Sequence, residues 1–200
     1  RYSEVIKPIF KILGTAPEVE RIAGMYIMLT KKGPMFFADT TVIKEPGVED
    51  VVQITRLLAQ AIKRINLTPR IALLGYSNFG SNHGDKTADI MAKATDILHH
   101  ENPELIVDGE IQANFALTPE LLKENFPFST LVDKKVNGFV FPNLAAGNIA
   151  YKMLQSFDAA EALGPLLLGA NKSAHILQMG ASVREIVNMI TLASVDAQTR

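Results

Sequence analysis

The sequence predicts an α/β fold, a three-layer αβα arrangement with helices on both faces of one sheet. Short apolar runs of strand length alternate with longer segments of helical periodicity along most of the chain. Runs such as IALL at 71–74 and GFVF at 138–141 are apolar without interruption, the pattern of strands buried on both faces. Of the 200 residues 48% are apolar, so a chain of this length can bury a continuous core.

The elements follow in order. Val5, Ile6, Ile9, Phe10 and Leu13 recur at helical spacing after Ser3, and Gly14 stops that helix, with Pro8 awkwardly inside it. Apolar runs at 25–30 and 35–42 flank Lys31-Lys32-Gly33-Pro34, a strand–turn–strand pattern. After the Pro46-Gly47 turn, residues 48–65 form a helix whose broad apolar face includes Val51, Ile54, Leu58 and Ile62. A strand at 70–74 leads to a helix at 86–99, and a strand at 105–107 to a helical stretch at 110–125 broken near Thr118-Pro119. A strand at 138–141 leads to a helix at 144–157. Two short apolar pieces at 166–168 and 174–177 precede a last helix at 182–198. The helical pattern fades at 156–164, which marks that segment as a hinge or crossover.

Composition excludes several classes of function. The formal net charge is −1, so there is no basic surplus to neutralise a nucleic-acid backbone. No apolar stretch is long enough to cross a membrane. The absence of Cys removes disulfides and cysteine zinc sites and fits the cytoplasm. His83, His99, His100 and His175 lack metal-ligand spacing, so no metal site is expected. No G-x-S-x-G elbow supports a hydrolase. The chain opens on Arg1 followed at once by a capped apolar run, the start expected of a piece of a longer polypeptide.

Ligands of an open α/β sheet bind beyond the carboxyl ends of its strands. Three loops are expected there. GYSNFGSNHGD at 75–85 offers backbone N–H groups and a helix N-terminus to an anion, although it is neither a Walker loop nor a dinucleotide fingerprint. A plain polar surface loop is the simpler reading. Asp108-Gly109-Glu110 places two carboxylates for acid–base work, or only a turn and cap. Asn143 and Asn148 offer amides to a ligand, with an N-cap at Asn143 the plainer role.

Together these loops resemble the phosphotransacetylase pattern. SNFGS at 77–81, VDGEIQANFAL at 107–117, FPNLAAGNIAYKML at 141–154 and GPLLLGANKSAH at 164–175 occur in the family's order. FADT at 37–40, ALLGYSNFGS at 72–81 and ASVREIVNMITLASVDAQ at 181–198 resemble more closely the C-terminal domain of large bacterial NADP-dependent malic enzymes. The resemblance implies a second phosphotransacetylase-like lobe at residues 1–163. Residues 164–200 would return to an otherwise missing first lobe. It also implies an N-terminal malic-enzyme domain in cis, a homo-oligomer, and acetyl-CoA or a related acyl-CoA as effector. NADP and a divalent metal belong to the malic-enzyme domain, so no cofactor is expected in this chain.

The resemblance also locates a departure. Active members carry a Ser-Arg pair, and an Asp a few residues on, where this chain has Gln178, Met179 and Glu185. Met supplies no cation to a phosphate, and such charge stabilisation commonly carries several kcal/mol of a barrier. The expected function is therefore acetyl-CoA sensing and assembly for a malic enzyme. The alternatives are an active phosphate acetyltransferase and a purely structural assembly lobe. The candidate contacts are Ser77, Asn78, Phe79, Gly80, Ser81, Asp108, Glu110, Asn143, Asn148 and Lys172.

Overall fold

The computed structural model describes residues 2–82, 84–177 and 180–199. In chain order the elements are α1 (Tyr2–Leu13), β1 (Ala23–Thr30), β2 (Gly33–Ala38), α2 (Val48–Arg64), β3 (Arg70–Leu74) and α3 (Lys86–Glu101). Then come β4 (Ile106–Ile111), α4 (Ala113–Leu117), α5 (Pro119–Asn125), β5 (Gly138–Val140), α6 (Leu144–Ser156), β6 (Ala160–Leu168) and α7 (Val183–Gln198).

The six strands form one sheet in the order β4-β3-β5-β2-β1-β6. β4, β3, β5 and β2 are mutually parallel, and β1 pairs antiparallel with both β2 and β6. Only β1 therefore runs against the others. Its reversal follows from the hairpin register Thr30↔Gly33, which lets two strands join without a crossover.

Successive strand residues face opposite sides, and the core divides accordingly. Phe36, Ile71, Leu73 and Val140 pack against α2 and α3, with Met189 of α7 joining that cluster. Phe37, Phe139, Phe141 and Tyr26 pack on the other face with Leu122 of α5 and Tyr151 of α6. The rings of Phe37 meet those of Phe139 and Phe141 edge-on at 5.5 and 5.1 Å, and Tyr26 stacks on Tyr151 at 4.0 Å. A side chain such as Phe36, fully buried, contributes about 1.5–3 kcal/mol by leaving water. α1 covers a smaller cluster through Ile6, Ile9 and Phe10 against Ile22, Leu167 and Ile176. α7 is tied back by Arg64–Asp196 at 3.0 Å, and His175 Nε2 lies 3.6 Å from Asp196.

Of the segment 156–164 expected as a hinge or crossover, residues 157–159 connect α6 to β6 and residues 160–164 begin β6, which pairs with β1 from Ala23↔Leu168 to Thr30↔Ala160. Gly164-Pro165 in mid-strand hid the pattern. β6 is an edge strand, where a proline without an N–H is tolerated. The ladder bulges there, because Met25 faces Leu166 while Ile27 faces Leu163. A Cβ on Gly164 would lie 2.8 Å from the Tyr26 ring, at a φ of +152° that side chains rarely adopt. The expected division at 163/164 falls within this strand.

Beyond β2 the chain turns around Asp39. Its Oδ1 accepts N–H bonds from Gly24 (3.0 Å), Thr41 (2.7 Å) and Val42 (3.0 Å), and its Oδ2 accepts from Ile43 (2.7 Å). A Cβ on Gly147 of α6 would come within 2.7 Å of the Asp39 carbonyl oxygen, so the helix approaches this turn as only glycine permits. Burial pushes the Asp39 carboxyl above its ordinary value of 3.8, against the pull of the four N–H groups.

Asp39→Ala leaves those four donors without an acceptor. At about 1–3 kcal/mol per orphaned buried donor, the variant is expected to lose more than about 3 kcal/mol in chemical denaturation. The folded-state value is raised, so Asp39's titration contributes stability that is fully present below the unfolded value. That contribution is lost as pH rises through the folded value. The advantage of the parent chain over Asp39→Asn in melting temperature is thus expected to be largest in acid and to shrink as pH rises. An advantage that grows with pH contradicts this account.

Candidate functional site

The carboxyl ends of β2, β3, β4 and β5 share one edge of the sheet, and the three sequence-predicted loops meet there. The first two are a single unit. Ser77 Oγ and Gly80 N–H both donate to Glu110 Oε1 at 3.0 Å. Phe79 N–H donates to the Glu110 carbonyl at 2.7 Å, and Gln112 N–H donates to Asn78 Oδ1 at 2.8 Å. Asn78 N–H closes on Ser81 Oγ at 3.0 Å. Ser77 is buried and its hydroxyl turns inward, while Ser81 is exposed. The Phe79 ring packs on Phe126 and Phe128 at 4.9 and 5.0 Å, away from solvent on one side.

Asp108 and Glu110 do not sit in a loop past the strand, as the sequence predicted, but inside β4. Their charges interrupt the apolar run that marks a strand, yet each carboxylate has local donors, which makes burial tolerable. Asp108 Oδ2 accepts from Ser129 Oγ and Thr130 N–H at 2.8 Å, and its Oδ1 accepts from Gly109 N–H at 3.0 Å. Asp108 thereby pins the 129–130 turn. Glu110 is fully buried, and among the described residues its Oε2 has no hydrogen-bond partner. The helix expected from 110 correspondingly starts later, as α4 and α5.

Asn143 caps α6, its Oδ1 accepting from Ala146 N–H at 2.9 Å, and Leu144 N–H donates to the Lys44 carbonyl at 3.1 Å. Asn143 and Asn148 line an open groove of about 590 Å³ with Lys44, Glu45 and Ile149. The groove combines a helix N-terminus and two amides with one lysine and one glutamate, so its side-chain charges offset and the helix N-terminus is what favours an anion. Lys172 is exposed beyond the end of β6.

A second cavity, of about 170 Å³, lies beside the edge strand β6 between α6 and α7. Tyr26, Tyr151, Lys152, Gln155, Glu185 and Asn188 line it. Glu185 does not point its charge freely into this space. Its carboxylate accepts the Ser182 N–H at 2.6 Å while Ser182 Oγ accepts the Glu185 N–H at 3.2 Å, a capping box at the start of α7. The Ser182 N–H bond pulls the Glu185 carboxyl below its ordinary value. Gln178, Met179 and His83 lie outside the described residues, but Leu177 and Gly180, which flank the Gln-Met pair, line this cavity.

The two regions are separate. β3 and β6 are four strands apart, about 19 Å at ~4.8 Å per strand. The structure thus joins Ser77–Ser81 with Glu110, and Asn143 with Asn148, but sets Glu185 far across the sheet from the first group. Sequence reasoning missed Lys44 and the paired tyrosines. Asp39 entered only within the FADT resemblance, although an Asp followed by two Thr after a strand is itself a turn signal.

A family model described as phosphate acetyl/butaryl transferase matches residues 1–194. The chain belongs to this family. A phosphotransacetylase from Streptococcus pyogenes superposes with a TM-score of 0.92 at 31% identity, covering 100% of this chain and 61% of that one. The NADP-dependent malic enzyme of Haemophilus influenzae is 39% identical over 98% of this chain and 26% of its own length. The phosphate acetyltransferase of Corynebacterium glutamicum is 34% identical over 99% and 60%. The chain therefore spans about a quarter of these malic enzymes and three fifths of these acetyltransferases. The phosphate acetyl/butaryl transferase fold accounts for the six-stranded sheet and its helical layers.

Ser77→Ala removes one of two donors to Glu110 Oε1. A loss of about 1–2 kcal/mol is expected, with faster amide hydrogen exchange at Phe79 and Gly80. Unchanged exchange there would mean that the carboxylate does not hold this loop.

Proposed function

We propose that this chain is an acyl-CoA-sensing and assembly module of an NADP-dependent malic enzyme, and that it does not itself transfer acetyl groups. The observation that carries the reading is the state of Glu185. It occupies the position that the resemblance assigns to a catalytic Asp, yet its carboxylate serves a helix cap and is a weakened base. The neighbouring Gln178 and Met179 offer neither a hydroxyl nor a cation. The groove at the start of α6, with the helix N-terminus, Asn143, Asn148 and a Lys44 offset by Glu45, is the place in this reading for an anionic part of the ligand. An extended acyl-CoA is long enough to run along the strand ends toward Lys172. Oxidative decarboxylation of malate, with NADP and a divalent metal, belongs in this reading to another part of the polypeptide.

A second reading, an active phosphate acetyltransferase, is favoured by the likeness to the phosphotransacetylase from Streptococcus pyogenes along the whole chain. One pair of measurements separates them. Acetyl phosphate and CoA mixed with the protein are expected to give no thioester above the uncatalysed rate. Acetyl-CoA is expected to raise the melting temperature, since ligand at 100 times its Kd adds about 2.7 kcal/mol. Lys44→Glu is expected to reduce that shift by placing a negative charge at the α6 N-terminus. Rapid thioester formation overturns the sensing proposal in favour of the enzyme, and the absence of any shift removes acyl-CoA as the ligand.

A further inference from the structure

The edge of the sheet opposite the candidate site has a different chemistry. Lys31 and Lys32 form the β1–β2 turn, Lys134 and Lys135 precede β5, and Arg70 opens β3. Their polar contacts are to neutral backbone. Lys135 Nζ donates to the Lys32 carbonyl, Lys134 Nζ to that of Thr130, and Arg70 Nε to that of Lys135. Among the described residues no carboxylate forms an ion pair with any of the five, and exposed Glu120 at the start of α5 is no exception. Lys123 already has its partner in Asp133 at 3.0 Å. Five cations without a direct ion pair among the described residues thus gather at one end of the sheet, where exposed Glu104 and Asp158 also lie, before β4 and β6.

Two of these cations, Lys32 and Lys135, line an apolar groove. A depression of about 290 Å³ is floored by Met35, Leu117, Pro119 and Val136, with Lys32 and Lys135 at its sides. Leu117 remains 40% exposed at its mouth. Apolar floor and cationic rim together select the occupant. A single strand held by base stacking would need aromatic faces, and the groove presents none. A bare small anion would leave the floor wet. An acidic polypeptide segment with an aliphatic anchor satisfies both parts, the anchor entering the groove and its flanking carboxylates meeting the lysines.

We infer that this groove is a docking site for an acidic, aliphatic-anchored polypeptide segment, independent of any acyl-CoA site at the other edge. The probe is a fluorescein-labelled peptide of glutamates bracketing two leucines, titrated into the intact chain. Binding is expected to weaken by about tenfold or more in Lys32→Glu/Lys135→Glu, and to fall as salt rises. Leu117→Ser is expected to weaken it at constant charge. Lys93→Glu, on the exposed side of α3, is expected to leave it unchanged, and thermal melts confirm that each variant is folded. No binding by the parent chain overturns the inference. So does equal weakening by Lys93→Glu, which means diffuse attraction, or indifference to Leu117→Ser, which removes the groove. Stronger capture of polyadenylate or of anionic phospholipid vesicles than of the peptide also overturns it.

Discussion

Four backbone N–H groups converge on one buried carboxylate at Asp39, and the layout of the sheet's carboxyl edge depends on that convergence. The donor from Gly24 belongs to β1, and the other three belong to the turn that leaves β2. One side chain therefore locks the only reversed strand to the exit of its neighbour. That lock sets the entrance to α2, because the turn ends at Ile43 and Lys44. It also sets the start of α6, because Leu144 N–H bonds to the Lys44 carbonyl and Gly147 packs against the Asp39 carbonyl. Burial works against the charged form, so the network is costly to form and more costly to break.

The same device recurs along that edge. Asp108 fixes the 129–130 turn and Glu110 fixes the 77–80 loop, each by accepting N–H and O–H donors from a distant part of the chain. Carboxylates that look catalytic in a one-dimensional pattern are here the fasteners of irregular backbone. Loops at this edge carry many unpaired N–H groups, and buried acceptors satisfy them where the sheet ladder ends. Glu110 Oε2 is the buried side-chain polar atom left without a partner among the described residues.

These roles explain what was legible in the sequence. Helices α2 and α3 and strands β3 and β5 were readable because period and burial agree over their whole length. The cap at Asn143 was readable because capping is local chemistry. β6 was not, since Gly164-Pro165 opposes strand propensity and is tolerated only because β6 lies at the sheet's edge, which is a tertiary fact. The inward turn of Ser77 was equally hidden, because its partner Glu110 is 33 residues away in the chain. Loop composition located the site edge, but which groups face a ligand and which face the protein was settled by long-range pairing.

The division of the site across the sheet bears on the chemistry. A general base, a cation and a nucleophile act together only within hydrogen-bond reach of the reacting atoms. The Ser77–Glu110 unit and Glu185 lie several strand spacings apart, so they cannot serve one small reacting group. Among the described residues, the polar groups of the cavity beside β6 are Tyr26, Tyr151, Lys152, Gln155, Asn188 and a carboxylate already engaged by Ser182. Recognition of an extended ligand makes no such demand, because each contact acts at its own place along the molecule. On the reading proposed above, groups spread along the strand ends would hold a long ligand at several separate points.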